Sequence, residues 1–248
     1  MSELAARKTP ITPDDLKSAL SMAWKLKFGE CPPTNAIELL MSQSALETAA
    51  WVSCVAFNLS NVKSNGTDGD WCFFTTTERL LEKDAHAAVA ASTAAAPAHL
   101  ITTEPDAEGK LKVLFEPRSP VCRFRAFSSL AQGAIWLLDF LEKHYAAAWS
   151  FVLDGDLFGF NHALKEHGFY TALESAYLSG LARFFDEYGT PKLDDMSAIT
   201  DALASLGYAS TSAFQQAMGL TVDNTPGPLT RAKLRWALAH QDPTPEAA

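Results

Sequence analysis

Glu47 is the residue of this 248-residue chain whose type and position could most directly do chemistry. It lies in a predicted helix over residues 34–51, whose apolar residues occupy both sides, as is typical of a helix buried at the centre of a protein. A carboxyl group buried without a charged partner has a raised pKa and tends to stay protonated. Such a group can act as a general acid, for example towards the leaving oxygen of a glycosidic bond. The alternative is that Glu47 lies at the rim of the helix, either exposed or paired with Lys or Arg.

The sequence offers little support for other chemistries. The six histidines form no H-E-x-x-H pattern, and His162 and His167 are five residues apart, off a shared helix face. No G-x-S-x-G, P-loop or G-x-G-x-x-G segment occurs, which disfavours serine hydrolases and nucleotide-binding proteins. The four cysteines include no C-x-x-C pair, so we interpret them as reduced, largely buried thiols, with a Cys54–Cys72 disulfide as the alternative. We therefore expect neither a metal nor a cofactor.

Helices must supply most of the framework that positions Glu47. Thr12 followed by Pro13 and two aspartates predicts the start of a first helix, ahead of the one that carries Glu47. WCFFTTTE, at 71–78, is rich in aromatic and β-branched residues and predicts half of a small β-hairpin. Two more strands are predicted at 110–117 and 122–127, followed by helices at about 129–149, 156–167 and 173–188. The predicted fold class is α+β, mainly helical.

A domain boundary is predicted close to residue 191. Gly189-Thr190-Pro191 and the acidic, polar stretch that follows are typical of a linker. Three short helices are predicted after it, at about 197–206, 211–218 and from 229 onwards. We therefore expect one domain over residues 1–190 and a small second domain over residues 191–248.

Five segments of the chain resemble the signature segments of one protein family. They are ALETAAW at 45–51, FNLSNVK at 57–63, DGDWCFFTTTE at 68–78, CRFRAFSSLAQGA at 122–134 and GFYTALESAYLSGL at 168–181. In this order they resemble bacterial glucosaminidases with a lysozyme-like fold, the flagellar and autolysin peptidoglycan hydrolases. The resemblance covers about residues 34–186. It implies a lysozyme-like domain with a small β-hairpin lobe, which cleaves β-1,4 bonds of the peptidoglycan glycan strand.

The resemblance also implies which residues do the chemistry. Glu47 matches the general acid of the family. Glu78 lies where the family has its second carboxylate, and Asp70 and Asp68 are the next candidates for that role. A carboxylate at the end of a polar strand would activate the attacking water or stabilise the oxocarbenium-like transition state.

Four residues are candidates for contact with the glycan. By the resemblance, Asn61 would shape the floor of the cleft, and Tyr170 matches a tyrosine that lines the subsite beside the acid. Trp51 and Trp71 are candidate platforms for stacking on sugar rings. For all four residues the alternative is a role in packing.

The chain departs from the family pattern at three places. Ala49-Ala50-Trp51 stands where the family has Gly-Trp-Gly, Ser60 replaces a loop glycine, and Thr171 is not followed by the usual Asp-Pro. An N-acetylglucosaminidase is the preferred activity. A muramidase or lytic transglycosylase in the same fold is the first alternative, and a non-catalytic, wall-binding structural component is the second.

A second resemblance covers residues 212–238, with the sequence SAFQQAMGLTVDNTPGPLTRAKLRWAL. It resembles the small three-helix peptidoglycan-binding domain and implies a wall-binding module over residues 191–248. The expected core residues are Phe214, Leu220, Val222, Leu229 and Leu234. A helical appendage that does not bind the wall is the alternative, since Asn224 stands where glycine is usual.

Charge and hydropathy limit the partners that we expect. The net charge of −9 and pI of about 5.1 argue against nucleic-acid binding and against docking on anionic membranes. No run reaches the roughly 18 apolar residues of a membrane span, and the first thirty residues contain no signal-peptide core. We expect a monomer that is synthesised in the cytoplasm and acts on the cell wall after release or injection. It would be a phage lysin or an interbacterial effector, and an effector would have an immunity protein as a partner.

Overall fold

The computed structural model describes residues 1–241. Within them ten α-helices and five short antiparallel strands confirm the predicted α+β, mainly helical class, with about 50% of the chain in helices. The helices are α1 (Pro13–Phe28), α2 (Thr34–Glu47), α3 (Glu82–Ala90), α4 (Leu130–His144), α5 (Ala146–Asp154), α6 (Leu157–Glu166), α7 (Glu174–Tyr188), α8 (Met196–Ser205), α9 (Thr211–Ala217) and α10 (Pro228–Ala239). The strands are β1 (Trp71–Phe73), β2 (Thr76–Leu81), β3 (Ala98–Leu100), β4 (Lys110–Phe115) and β5 (Arg123–Arg125). In residues 1–241, no helix has both the length and the apolar character needed to cross a membrane.

The chain folds into two compact units. The β unit consists of Met1–Pro10 and Trp51–Gly133, and the helical unit consists of Ile11–Ala50 and the described residues from Ala134 onwards. The division into domains over 1–190 and 191–248 stays a prediction, and residues 242–248 lie outside the described part of the chain.

The β unit contains two small antiparallel sheets. In the larger one the strand order is β2-β4-β3, and the smaller one pairs β1 with β5. The prediction that 71–78 forms half of one hairpin was wrong, because this stretch is divided between β1 and β2, which belong to different sheets. Each strand pairs with a segment far along the chain, and a local pattern of residue types does not reveal such a partner.

Helix α2 is the buried centre of the helical unit, as its two-sided apolar pattern predicted. Every residue from Ala36 to Ala45 is buried, and the helix packs against α1, α5 and α7. It ends at Glu47 rather than at residue 51. The three residues from Ala49 to Trp51 have φ values of 50°, 51° and 65°, and Ala50 N–H donates to the carbonyl of Ala45 at 2.7 Å. This left-handed turn closes the helix in the manner of a Schellman cap.

The residues after 191 form a hydrophobic cluster of their own. Its buried members are Leu193, Ile199, Ala202, Leu203, Phe214, Leu234 and Ala237. The expected core residues Phe214 and Leu234 are fully buried, and Leu220 and Leu229 are half buried. The prediction for Val222 was wrong, because this side chain is 56% exposed in the loop before α10.

Candidate active site

The side chain of Glu47 lies at the C-terminal end of α2 and is half buried. The hydroxyl of Tyr177, on the first turn of α7, donates a hydrogen bond of 2.6 Å to Glu47 Oε1. Burial raises the pKa of the Glu47 carboxyl group and outweighs the Tyr177 hydrogen bond, which lowers it. The partial negative charge at a helix C-terminus also disfavours the carboxylate. Glu47 therefore holds its proton to a higher pH than an exposed glutamate does.

Tyr177 is a permanent hydrogen-bond donor to this carboxyl group. It is 9% exposed, and burial raises its pKa well above the usual value for tyrosine. The nearby charge of Glu47 raises this pKa further, while a hydrogen bond with Gln43 acts in the opposite direction. Gln43 lies one turn before Glu47 on α2 and is fully buried. Tyr177 thus stays protonated at working pH and can hold the acid in one orientation.

Tyr170 lies one ring further from the acid. Its ring stacks on that of Tyr177, with centroids 3.8 Å apart and an interplanar angle of 4°. Its hydroxyl donates to Asn161 Oδ1 at 2.9 Å, and Asn161 is 1% exposed on α6. Burial raises the pKa of Tyr170 to about 12, assisted by the charge of Glu174. The structure therefore brings the predicted Tyr170 into the Glu47 cluster through Tyr177.

A contact between a glutamate and a histidine lies beside the two tyrosines. Glu174, the first residue of α7, has its Oε1 atom 3.0 Å from His162 Nδ1 on α6, and both side chains are exposed. The ammonium group of Lys165 lies 5.4 Å from the centroid of the Tyr170 ring. These groups give the cluster a polar, solvent-accessible side.

Sequence reasoning missed the contact of Tyr177 with the acid, although Tyr177 belongs to one of the five family-like segments. A signal was available. Tyr177 shares the buried face of an amphipathic helix with Leu181 and Phe185, and a buried tyrosine hydroxyl usually has a hydrogen-bond partner. Which partner it has depends on the packing of α7 against α2, and no local pattern contains that information.

The β unit contains the candidates for the second carboxylate. Glu78 lies on β2 opposite Val113 of β4, is half buried, and forms an ion pair with Lys63. The Lys63 ammonium group also lies 5.6 Å from the centroid of the Phe124 ring. The carboxylate of Glu78 is therefore held by a cation within its own unit.

Asp68 and Asp70 also have partners within the β unit. Asp68 Oδ1 accepts a hydrogen bond of 3.0 Å from Ser64 Oγ and lies 3.3 Å from Arg125 Nη1. Asp70 Oδ1 accepts a hydrogen bond of 2.6 Å from the backbone N–H of Ser2. These contacts stabilise the loop that precedes β1.

Asn61 takes the left-handed backbone conformation that its loop requires. Its φ is 48°, whereas the preceding Ser60 is buried without a positive φ. Asparagine tolerates this conformation better than most residues do. The neighbouring Asn58 is fully buried, and its amide group donates to the carbonyls of Val62 and Arg125 at 2.9 and 3.1 Å. Asn58 therefore holds the loop in which Asn61 lies.

The two candidate tryptophan platforms have little open ring surface. Trp51 is 5% exposed. Trp71 is half buried on β1, with the guanidinium group of Arg123 5.7 Å from its ring centroid. No described residue accepts a hydrogen bond from the buried Trp71 Nε1 atom. Stacking of a sugar on either ring stays a prediction, and for Trp51 it would require a rearrangement of the segment.

The described residues contain no group of three or more His, Cys, Asp or Glu side chains that could hold a metal ion. The four cysteines are free, with Cys31 exposed and the other three buried. Burial, together with the charge of Glu3, raises the pKa of the Cys72 thiol to about 11. A buried thiol of this kind is a poor nucleophile.

Comparisons of the chain with models of protein families, with curated proteins and with solved structures found no match. The resemblance in the five segments and in the C-terminal segment therefore stays a hypothesis.

Proposed function

We propose that this protein is a glycoside hydrolase in which Glu47 is the general acid. The observation that carries the proposal is the half-buried carboxyl group of Glu47, whose pKa is raised and which the phenol of Tyr177 contacts at 2.6 Å. A general acid has to hold its proton at working pH and release it in the transition state. A carboxyl group with a raised pKa in a fixed orientation meets both needs.

The contact with Tyr177 assists the proton transfer itself. As Glu47 donates its proton to the glycosidic oxygen, it becomes a carboxylate, and the hydrogen bond from Tyr177 favours this charged form. The bond therefore strengthens as the reaction proceeds, which is the condition for lowering the barrier. Tyr177 is not consumed, because its own pKa is too high for it to give up its proton.

We propose the glycan strand of peptidoglycan as the substrate, from the resemblance of the five segments to lysozyme-like glucosaminidases. An N-acetylglucosaminidase is the activity that the resemblance favours, with Glu78 as the second carboxylate and Asp70 and Asp68 as substitutes. On the same basis, residues 191–248 act as a wall-binding module, which would raise the local concentration of substrate. The setting is a phage lysin or an interbacterial effector with its immunity protein.

One observation favours a reaction that uses a single carboxyl group. Glu78, Asp68 and Asp70 are each bound by a neighbouring group within the β unit. A muramidase or lytic transglycosylase that works with Glu47 alone is therefore the second candidate. A wall-binding component without activity is the third outcome of the test.

The test is digestion of purified sacculi by the full chain, followed by mass spectrometry of the released fragments. Reducing-end GlcNAc identifies a glucosaminidase, whereas reducing MurNAc or 1,6-anhydro-MurNAc identifies the second candidate. Glu47→Gln should lower the rate by a factor of about 10² to 10⁴, the usual contribution of a general acid. Glu166→Gln, which changes an exposed carboxylate at the end of α6, is the matched control and should keep the rate. Release of no fragment by the wild type, with sacculus binding retained, would reject the hydrolase proposal.

A further inference from the structure

Helix α2 carries two ionisable residues, and they lie towards its opposite ends. Glu47 is the candidate acid at the C-terminal end. Glu38 lies in the N-terminal half, and its side chain is completely buried. They are nine positions apart, which is about 13.5 Å along a helix. A fully buried carboxylate is costly unless hydrogen bonds satisfy it, so its contacts identify what it does.

The contacts of Glu38 are made mainly by the residue that follows the end of α7. Thr190 donates its backbone N–H to Glu38 Oε2 at 3.0 Å and its hydroxyl to Glu38 Oε1 at 2.6 Å. The ammonium group of Lys17 lies 4.0 Å from Oε1. Both carboxylate oxygens of Glu38 are thus bound by Thr190, two residues beyond the last residue of α7.

The helices α2 and α7 are therefore joined at both ends. At one end Tyr177 contacts Glu47, and at the other end Thr190 contacts Glu38. Between these ties the helices approach closely, because a Cβ atom at Gly180 would lie 2.7 Å from Leu46 Cδ1.

The C-terminal end of α7 is also bound by α10. Arg235 of α10, which is 1% exposed, donates to the carbonyl of Pro191 and to Asp186 Oδ1, each at 2.9 Å. The segment that contacts Glu38 therefore has a fixed position with respect to α7. A shift of this segment along α2 would move α7 as a rigid body and would change the distance between Tyr177 and Glu47.

We propose that Glu38 is a positioning residue, which sets the register of α7 against α2 and thereby the hydrogen bond between Tyr177 and Glu47. The inference rests on the proposed role of Glu47 as the acid. A catalytic hydrogen bond has to be held within about 0.5 Å of its working geometry, so a tie about 13.5 Å away along a stiff helix matters for catalysis. If Glu38 only stabilised the fold, any hydrogen-bond donor could satisfy its carboxylate, and the donor would not have to come from the segment that follows α7.

The test compares Glu38→Ala, Thr190→Val and their double variant with Ser42→Ala, all in the full chain. Ser42 is a suitable control because it is fully buried on α2 and its hydroxyl donates to the Glu38 carbonyl within the helix. The readouts are the titration of the Glu47 carboxyl carbon by NMR, kcat and KM on glycan fragments, and the melting temperature. Glu38→Gln, which keeps an acceptor oxygen, tests rescue by a conservative change.

Loss of the tie should weaken the Tyr177 hydrogen bond and raise the pKa of Glu47. The rise should be larger in Glu38→Ala than in Thr190→Val, which keeps the backbone hydrogen bond to Glu38 Oε2. We expect kcat to fall about tenfold with little change in KM, since positioning rather than binding is lost. The effects of the double variant should equal those of Glu38→Ala, because Glu38→Ala already removes both hydrogen bonds from Thr190, whereas Thr190→Val removes only the one from the hydroxyl. In Glu38→Gln, both the pKa of Glu47 and kcat should lie between the values of the wild type and those of Glu38→Ala.

The proposal is overturned if Glu38→Ala and Thr190→Val lower the melting temperature but leave the pKa of Glu47 where Ser42→Ala leaves it. It is also overturned if their effects on that pKa add in the double variant. A wild type without turnover would reject the proposed function, while the NMR titration would still decide whether Glu38 sets the register.

Discussion

The hydroxyl of Tyr177 lies 2.6 Å from Glu47 Oε1, although 130 residues separate the two along the chain. Burial keeps the phenol protonated, so the contact has the same donor whether Glu47 is neutral or charged. The parallel ring of Tyr170, 3.8 Å away, fixes the plane of the Tyr177 ring. The proposed acid is therefore oriented by a side chain that is itself packed on one face and that stays protonated at working pH.

Removal of the Tyr177 hydroxyl should weaken the acid without unfolding the site. In Tyr177→Phe the ring and its stacking on Tyr170 remain, but the contact that lowers the pKa of Glu47 is lost. We expect kcat to fall about tenfold. The limb of the pH–rate profile that reports Glu47 deprotonation should move to higher pH.

Tyr170→Phe is the control for that change. It removes the hydrogen bond from Tyr170 to Asn161 but leaves the hydrogen bond from Tyr177 to Glu47 in place. A pH–rate profile of Tyr177→Phe that coincides with that of the wild type would contradict the role of this hydroxyl.

The raised pKa of Glu47 predicts how stability depends on pH. A carboxyl group with a higher pKa in the folded state than in the unfolded state binds more protons when folded, so it lowers stability as pH rises. Its favourable contribution is complete below the unfolded pKa of about 4.3 and is lost as pH passes through the folded pKa. Relative to the wild type, Glu47→Gln should thus gain stability from pH 4 towards pH 8.

Urea unfolding of both proteins at several pH values measures this difference. Glu166→Gln, which changes an exposed carboxylate, should follow the wild type at every pH. A constant difference between the wild type and Glu47→Gln across this range would show that Glu47 has an ordinary pKa in the folded protein.

Ala49 carries a local strain that glycine would relieve. It follows the last turn of α2 with a φ of 50°, a conformation in which a Cβ atom costs roughly 1 kcal/mol. Ala49→Gly should therefore raise the free energy of unfolding by about 1 kcal/mol. Urea unfolding of Ala49→Gly and of the wild type measures this difference in the free energy of unfolding.

The opposite result is expected for Ala87→Gly, at an exposed position inside α3, where glycine should cost about 1 kcal/mol. Destabilisation by both changes would mean that position 49 is not left-handed in solution.

His240 should make stability depend on pH near neutrality. Its Nδ1 atom lies 2.7 Å from the carbonyl of Trp236 and its Nε2 atom 2.8 Å from Asp154 Oδ1, so both ring nitrogens face acceptors. The bond to the Trp236 carbonyl raises the pKa of His240, and the bond to Asp154 raises it further. The protonated ring thus stabilises the fold below the unfolded pKa of about 6.5, and this contribution is lost as pH rises through the higher folded pKa.

The effect should be below about 1 kcal/mol, because the ring is partly exposed to solvent. Thermal unfolding between pH 5.5 and 8 measures it. His240→Gln should abolish this part of the dependence, and His86→Gln, at an exposed position on α3, should not. An identical pH dependence in His240→Gln and wild type would contradict the contact.

Much of the helical framework could be predicted from the sequence. The N-cap at Thr12, the two-sided apolar pattern of α2 and the three short helices after residue 191 are local signals, and the structure has these elements. The pairing of the strands could not be predicted in the same way. β1 and β2 follow each other directly but pair with β5 and β4, because strand pairing depends on distant segments.

The site divides in the same way. That Glu47 lies on a buried helix followed from periodicity, which depends only on residue types and their spacing. That Tyr177 contacts it, and that Glu38 is bound by Thr190, depends on the register of two helices far apart in sequence. Only the folded chain decides that register.

A near-repeat in the sequence separates what the sequence determines from what the tertiary structure determines. Residues 44–49 read SALETA and residues 171–176 read TALESA, so Glu47 and Glu174 have almost the same neighbours. The sequence by itself determined that each lies in or beside a helix. Tertiary structure decided that Glu47 ends α2 with its carboxyl group against a buried phenol, while Glu174 begins α7 with a side chain that is 41% exposed and contacts His162. The difference lies in what packs around each carboxyl group, because desolvation and partner groups, rather than neighbours in sequence, set its charge and chemistry.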